Sequence, residues 1–124
     1  MAFIIDAAFD AACNYLISNG SRMDVCSSEP TTYTAATSTA SLGNKTGLTL
    51  TGPANGATDG RAATVPSFSD GSVTADGTAT HWALTDGTST LLATGALSAS
   101  QSVTSGNTLT LTDTPITIRD ATAV

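Results

Sequence analysis

Charged side chains are scarce in this chain of 124 residues. They make up 11% of the sequence, against about 25% in an ordinary globular domain. Only four are basic, namely Arg22, Lys45, Arg61 and Arg119, and the formal net charge is −6. Because the four basic residues are scattered, no patch can neutralise a phosphate backbone. The sequence therefore predicts no direct binding to nucleic acid.

Long apolar runs are also missing. The longest near the start, Phe3-Ile4-Ile5, is followed closely by Asp6 and Asp10. No basic n-region precedes it, and no stretch reaches the ~18 apolar residues of a membrane-spanning helix. We therefore expect neither a signal peptide nor a membrane segment, and we expect the chain to be made and folded in a cytoplasm.

Residues that carry catalysis or bind metals are few. The spacing of Cys13 and Cys26 fits no zinc pattern. Without export we predict buried, reduced thiols at both positions, and a disulfide is the alternative for a particle that lives outside the cell. His81 is the only histidine and Glu29 the only glutamate, and no Gly-x-Ser-x-Gly motif is present. Neither a hydrolase triad nor a pair of glycosidase carboxylates is supported. The sequence predicts a non-enzymatic protein with no catalytic, cofactor-binding or metal-binding residues.

Asp-Gly pairs, by contrast, recur in the middle of the chain. They are Asp59-Gly60, Asp70-Gly71, Asp76-Gly77 and Asp86-Gly87, and they are flanked by Thr or Ser alternating with apolar residues. This pattern is typical of tight turns between antiparallel strands. Calcium binding needs several converging oxygens, whereas each Asp here stands alone before its Gly. The interval between Gly71 and Asp76 is too short for two hairpins, so we predict a bulge at one of these pairs.

Helical periodicity occurs only near the start. Ile5, Phe9, Cys13 and Leu16 form one apolar stripe, which predicts a helix over residues 5–18 that ends in a left-handed stop at Asn19-Gly20. A short strand is predicted over residues 22–27, with Met23 and Val25 on one face. Residues 27–44 are predicted to be a long loop with one helical turn near 34–39. Such a long loop is a candidate contact surface.

From Lys45 onwards the period becomes two, which is typical of strands. We predict a single domain over residues 1–124, divided into an N-terminal helix (1–20), a short strand and long loop (21–44) and a β module (45–124). The fold class is mainly β, an antiparallel β-sandwich or small barrel of about seven to eight strands with one N-terminal α-helix. Residues 52–60 are expected to be a turn-rich connection, and Pro66 is expected to mark a strand end or an edge strand.

Five residues are candidates for an interface: Phe3, Ile4, Ile5, Tyr33 and His81. One helical stripe cannot bury three consecutive large apolar residues, so the segment before the helix either packs across the mouth of the sheet or inserts into a neighbouring subunit. Tyr33 and Pro30 are the only sizeable side chains of the long loop. Strand alternation sets His81 opposite Trp82. A central Trp82 in the core leaves His81 at the surface, whereas an exposed Trp82 could stack on a sugar.

Two stretches carry a resemblance to known proteins. Residues 78–97 (TATHWALTDGTSTLLATGAL) and 103–111 (VTSGNTLTL) resemble small virion proteins of tailed bacteriophages, in which a Val-x-x-Gly-Asp-Thr hairpin follows the first stretch. Residues 26–30 (CSSEP) and 42–45 (LGNK) are also similar to such proteins. This chain has Asn107 where those proteins often have Asp, and Asn suits a turn equally well.

The resemblance implies a capsid decoration or cement protein. Such a protein would bind the major capsid protein lattice at the capsid surface of the virion, after synthesis in the host cytoplasm, and stabilise the head. It would be a homo-oligomer, with a trimer as the expected state. Two alternatives stay open: a tail or fibre component that contacts host polysaccharide, and a cell-surface β-sandwich module unrelated to phage.

Overall fold

The computed structural model describes residues 4–119. Within them the chain forms an N-terminal helix, one π-helical segment and nine strands, in two antiparallel sheets. The elements are α1 (Asp6–Asn19), β1 (Arg22–Cys26), the π-helical segment (Ala35–Thr39), β2 (Ser41–Lys45), β3 (Thr51–Asn55), β4 (Arg61–Val65), β5 (Phe68–Val73), β6 (Gly77–Thr85), β7 (Leu91–Val103), β8 (Thr108–Leu111) and β9 (Thr114–Ile118). The predicted mainly β class with an N-terminal helix is confirmed.

The larger sheet has the strand order β7-β6-β1-β2-β5-β8 and curls into a half-barrel. The smaller sheet has the order β3-β4-β9. One core cluster lies where the helix and the two sheets meet, and it contains Met23, Leu48, Leu50, Val65 and Leu84. A second cluster fills the inside of the curl, with Val25, Leu42, Val73, Ala79 and Leu109. Both clusters draw on alternate residues of the strands, as a pleated sheet with one apolar face requires.

β1 lies in the middle of the large sheet and is buried on both faces. Met23 and Val25 join the two core clusters, as the alternation predicted. Cys26 is fully buried on the opposite face, where it packs against Ala36 and Ala40 around the π-helical segment. The helical turn predicted within the loop is therefore confirmed, and it acts as a cover for the outer face of β1.

The predicted loop over residues 27–44 ends too late, because Ser41–Lys45 forms a strand next to β1. Only Leu42 in this strand is large and apolar, so the strand shows no clear alternation of apolar and polar residues. The predicted connection over residues 52–60 is also wrong in its first half, since Thr51–Asn55 pairs with β4. Pro66 follows directly after the last residue of β4, as predicted.

The helix ends one residue later than predicted, and its stop is not left-handed. Gly20 is extended, with φ −71° and ψ 122°, and its N–H donates to the carbonyl of Leu16. A Cβ on Gly20 would lie 2.8 Å from that carbonyl oxygen and 3.1 Å from a methyl group of Leu84. Close packing, rather than positive φ, explains the glycine. Ile5 does not join the apolar stripe and is 60% exposed, whereas Phe9 and Cys13 are buried.

Candidate functional site

The four Asp-Gly pairs serve local structure. Gly60 and Gly87 adopt positive φ (72° and 77°) at the β3–β4 and β6–β7 turns, as predicted. Asp86 Oδ1 accepts the backbone N–H groups of residues 88, 89 and 90 at 2.8–3.0 Å, and these bonds lower the pKa of its carboxyl to about 2. The register of β5 against β8 shifts between Phe68 and Gly71, so the predicted bulge lies at Asp70-Gly71.

The other three aspartates of these pairs bind different partners. Asp59 forms an ion pair with Arg119, Asp70 binds Lys45 Nζ at 3.0 Å, and Asp76 Oδ1 accepts the N–H of Ser105 at 2.7 Å. Each carboxylate therefore stabilises its own turn or strand end. Within residues 4–119, no group of three or more His, Cys, Asp and Glu side chains is arranged to hold a metal ion.

A buried ion pair fixes the long loop to β1. Asp24 is fully buried and accepts two hydrogen bonds from the Arg22 guanidinium, at 2.7 and 3.0 Å, and one from the Ser41 hydroxyl at 2.7 Å. The same guanidinium reaches the carbonyl of Thr37 in the π-helical segment at 3.4 Å. Hydrogen bonding to Asp24 raises the pKa of Arg22 further above neutrality. The loop that the sequence marked as a contact surface is thus held by its own polar anchor.

The five predicted interface residues lie in three separate parts of the chain. Ile4 and Ile5 precede α1 and are 44% and 60% exposed, and Phe3 lies outside the described residues. Tyr33 is half-buried in the loop, and its carbonyl accepts a hydrogen bond from Thr37.

His81 is half-buried on β6 and secures the start of the loop. Its Nε2 lies 3.7 Å from the Glu29 carboxylate, and its Nδ1 lies 2.9 Å from the Thr80 hydroxyl. That hydroxyl also donates to the carbonyl of Ser27 at 3.0 Å. The contacts of His81 are therefore within the chain, and they tie the loop to β6.

Both cysteines are free and buried, as predicted. Burial raises the pKa of the Cys26 thiol to about 12, with the nearby Asp24 carboxylate adding to the effect. Burial also raises the pKa of Cys13. A thiol with such a pKa is protonated at neutral pH and is a poor nucleophile.

A groove lies between β7 and β8, and we call these two bordering strand edges the seam. A tight turn connects the two strands, and in this turn the N–H of Asn107 donates a hydrogen bond to the carbonyl of Thr104 at 3.1 Å. The hairpin implied by the resemblance does not form, because β8 pairs with β5 and β7 pairs with β6. β7 and β8 are thus the two outer edges of the large sheet, and the curl brings them to opposite sides of one groove.

The groove has a volume of about 600 Å³. Its lining combines apolar and polar side chains from β6, from both edges and from around the start of β9: Trp82, Leu97, Gln101, Leu111, Asp113 and Pro115. A smaller cavity beneath it, lined by Val25 and Leu109 among others, leads towards the second core cluster. The groove is therefore a polar-rimmed opening in the half-barrel with an apolar floor.

β7 is irregular where it borders the groove. Ala79 pairs with Gln101 and His81 with Ala96, so residues 97–100 bulge out of the ladder opposite Thr80. Ser98, Ala99 and Ser100 in this bulge are exposed. Bulges re-aim side chains at sheet edges and often border binding sites.

The seam was not predicted from the sequence. One signal was available: no charged side chain occurs between Asp86 and Asp113, a stretch that includes both edge strands. Edge strands are usually protected by charge, because their free N–H and C=O groups pair readily with other chains. No helix within residues 4–119 has the length and hydropathy to cross a membrane. Comparison with protein-family models, curated protein sequences and solved structures gives no match to this chain.

Proposed function

We propose that the chain is a non-enzymatic virion structural protein, a decoration or cement protein of a tailed-phage capsid. It binds the major capsid protein lattice as a homo-oligomer, with a trimer as the expected state, and stabilises the head. The observation that carries this proposal is the uncharged pair of open edges at the seam. Residues 78–97 and 103–111, which carry the resemblance to phage virion proteins, belong to β6, β7 and β8 around that seam.

Charge distribution supports a protein-binding role. Much of the surface acid is engaged within the chain, for example in the pairs of Asp10 with Arg61 at 2.7 Å and of Asp70 with Lys45 at 3.0 Å. Residues 87–112, which include both edge strands, contain no charged side chain. Removing charge from water is costly, whereas Ala side chains, and Thr and Ser hydroxyls that find hydrogen-bond partners, are covered at lower cost. A partner chain, whether capsid protein or another copy in the homo-oligomer, can therefore cover these edges without burying an unpaired charge.

Binding to capsids tests the proposal. Purified heads that lack the chain are incubated with the recombinant protein and sedimented, and the bound fraction is measured with increasing protein. We expect saturable binding and a higher temperature of head disruption. A Thr46→Lys variant, changed in the exposed connection after β2, should bind equally well and serves as the control. Absence of binding, or binding with no gain in head stability, contradicts the proposal.

One observation favours a second candidate, a tail or fibre component that contacts host polysaccharide. Trp82, Gln101 and Asp113 all line the groove, and aromatic rings with polar neighbours are common in sugar sites. However, one face of the Trp82 ring is covered by the backbone of Gly95. Glycan binding that is lost in a folded Trp82→Ala variant would favour this candidate, and a glycan array without signal would remove it.

A further inference from the structure

We propose that the seam receives residues 1–5 of a second copy as an added β-strand, so that copies join through their N-terminal segments. This inference concerns self-association and does not depend on the proposed role in a virion. It selects one of the two alternatives that the sequence left open for Phe3, Ile4 and Ile5. Its evidence comes from the chemistry of the seam and of the segment.

The backbone of the seam defines the type of occupant. Within the described residues, β7 pairs only with β6, and β8 pairs only with β5. Each therefore presents N–H and C=O groups on its outer side, and these groups are complementary to an extended polypeptide. A strand between the two edges would continue the curled sheet and close the half-barrel. A small molecule could not satisfy two rows of backbone groups at once.

The side chains of the seam define the composition of the occupant. The apolar part of the lining includes Trp82, Leu97 and Leu111, and Asp113 is the only charged residue among the lining residues. No basic side chain is present there to compensate an acidic occupant, and one carboxylate does not form a basic-peptide site. The seam therefore fits a short uncharged segment with large apolar side chains.

The chain itself contains one such segment. Residues 1–5 (MAFII) carry no charged side chain, and Asp6 then begins α1. Ile4 and Ile5 are two of the three large hydrophobic side chains that are exposed within residues 4–119, and the third is Tyr15 on α1. Ile5 is already extended, with φ −65° and ψ 143°. Five extended residues span about 17 Å, enough to run along the four residues of β8 at about 3.4 Å each.

The position of α1 favours a neighbour's seam over the chain's own. α1 packs on β3 and β4, and Asp10 is joined to Arg61 of β4. The seam is bordered by Thr114 and Pro115 of β9, at the edge of the small sheet away from β3. Copies with a net charge of −6 repel each other, so contact through a segment without acidic side chains and a groove with a single carboxylate keeps that repulsion low.

Because the segment and the seam are different surfaces, the contact is heterologous. Such contacts close into rings when the rotation between copies permits. A ring of few copies agrees with the trimer that the resemblance implies. In that ring every seam would be filled and every N-terminal segment covered.

Two matched variants test the proposal by light scattering after gel filtration. Ile4→Asp places a charge in the inserted strand and should weaken self-association by at least about tenfold. Tyr15→Asp changes the third exposed hydrophobic residue outside the segment and should leave the oligomer intact. Circular dichroism checks that both variants fold. A monomeric wild-type protein, or an oligomer equally affected by both variants, overturns the proposal.

Disulfide trapping identifies the two surfaces directly. Ile4→Cys and Ala99→Cys proteins, one of them isotope-labelled, are mixed and oxidised, and mass spectrometry should find a cross-linked dimer with one copy of each. An Ile4→Cys protein mixed with a Thr46→Cys protein is the control and should not cross-link. In a further variant that carries both Ile4→Cys and Ala99→Cys, a cross-link that forms only within one chain shows self-insertion and overturns the proposal. Absence of any cross-link, with the oligomer intact, also overturns it.

Discussion

The indole ring of Trp82 lies against the backbone of Gly95, its cross-strand partner on β7. A Cβ on Gly95 would be 2.5 Å from Cζ2 of the ring, closer than atoms can pack. The glycine thus allows the only tryptophan of the chain to lie across the β6–β7 pair, where it also lines the groove. This contact links the apolar core to the open edge.

Gly95→Ala should displace this ring. We expect a loss of about 1–3 kcal/mol in the free energy of unfolding, as for other overpacked positions. The intrinsic fluorescence of the native protein should also change, because Trp82 is the only tryptophan. Urea titration followed by fluorescence measures both effects. Ser98→Ala, on the same strand but exposed, is the control, and equal stability of the two variants would contradict the observed packing.

The ion pair of Arg22 with Asp24 should be essential for stability. Arg22→Leu leaves a fully buried carboxylate with the Ser41 hydroxyl but without its cation, and such a change costs about 3–5 kcal/mol. Urea denaturation of the variant gives the value. Lys45→Leu removes the partner of an exposed aspartate, and it should change stability far less. Similar losses in both variants would show that burial of Asp24 is not decisive.

Asp86 should make stability depend on acid pH. Its carboxyl has a pKa of about 2 in the folded chain, below the ordinary value of 3.8, since three backbone N–H groups bind the ionised form. The stabilisation is present above pH 3.8 and is lost as the pH falls towards 2. Asp86→Asn should therefore lose less stability than the wild type between these values. Urea midpoints at pH 6, 4 and 2.5 test this, and parallel curves would rule it out.

Cys13 and Cys26 should resist alkylation in the folded protein. Both are buried and both thiols have raised pKa values, that of Cys26 being about 12. We expect alkylation at pH 8 to be at least about a hundredfold slower in the native state than in urea. Peptide mass spectrometry follows each cysteine separately. Fast modification of native Cys26 would show that the π-helical segment opens readily.

The parts of the fold that could be predicted from the sequence are those that depend on neighbouring residues in the chain. The helix, the Asp-Gly turns and the strands around Trp82 and Leu109 follow from short-range periodicity and turn chemistry. β2 was missed because Gly43 replaces a side chain where the backbone of Ser72 approaches, which weakens the alternation. β2 is a strand because it pairs with β1 and β5, and those pairings are not visible in its own residue pattern.

The seam depends on which distant strands pair, and that information is not local. Residues 103–111 have the turn of a hairpin, yet Leu109 pairs with Gly71 of β5 instead of with β7. Ile4 and Ile5 were selected as interface candidates from their run of apolar residues. Both are exposed, and their interface role stays a prediction. The surface proposed to receive them could be identified only after the sheet order was known.

The central claim is that the chain belongs to the shell of a virion. The most direct test is the position and copy number of the chain in the intact particle, measured by electron cryomicroscopy and quantitative mass spectrometry. We predict a copy number comparable to that of the major capsid protein, with density on the outer face of the capsid. A few copies confined to the tail or neck, or absence from the particle, would contradict the claim.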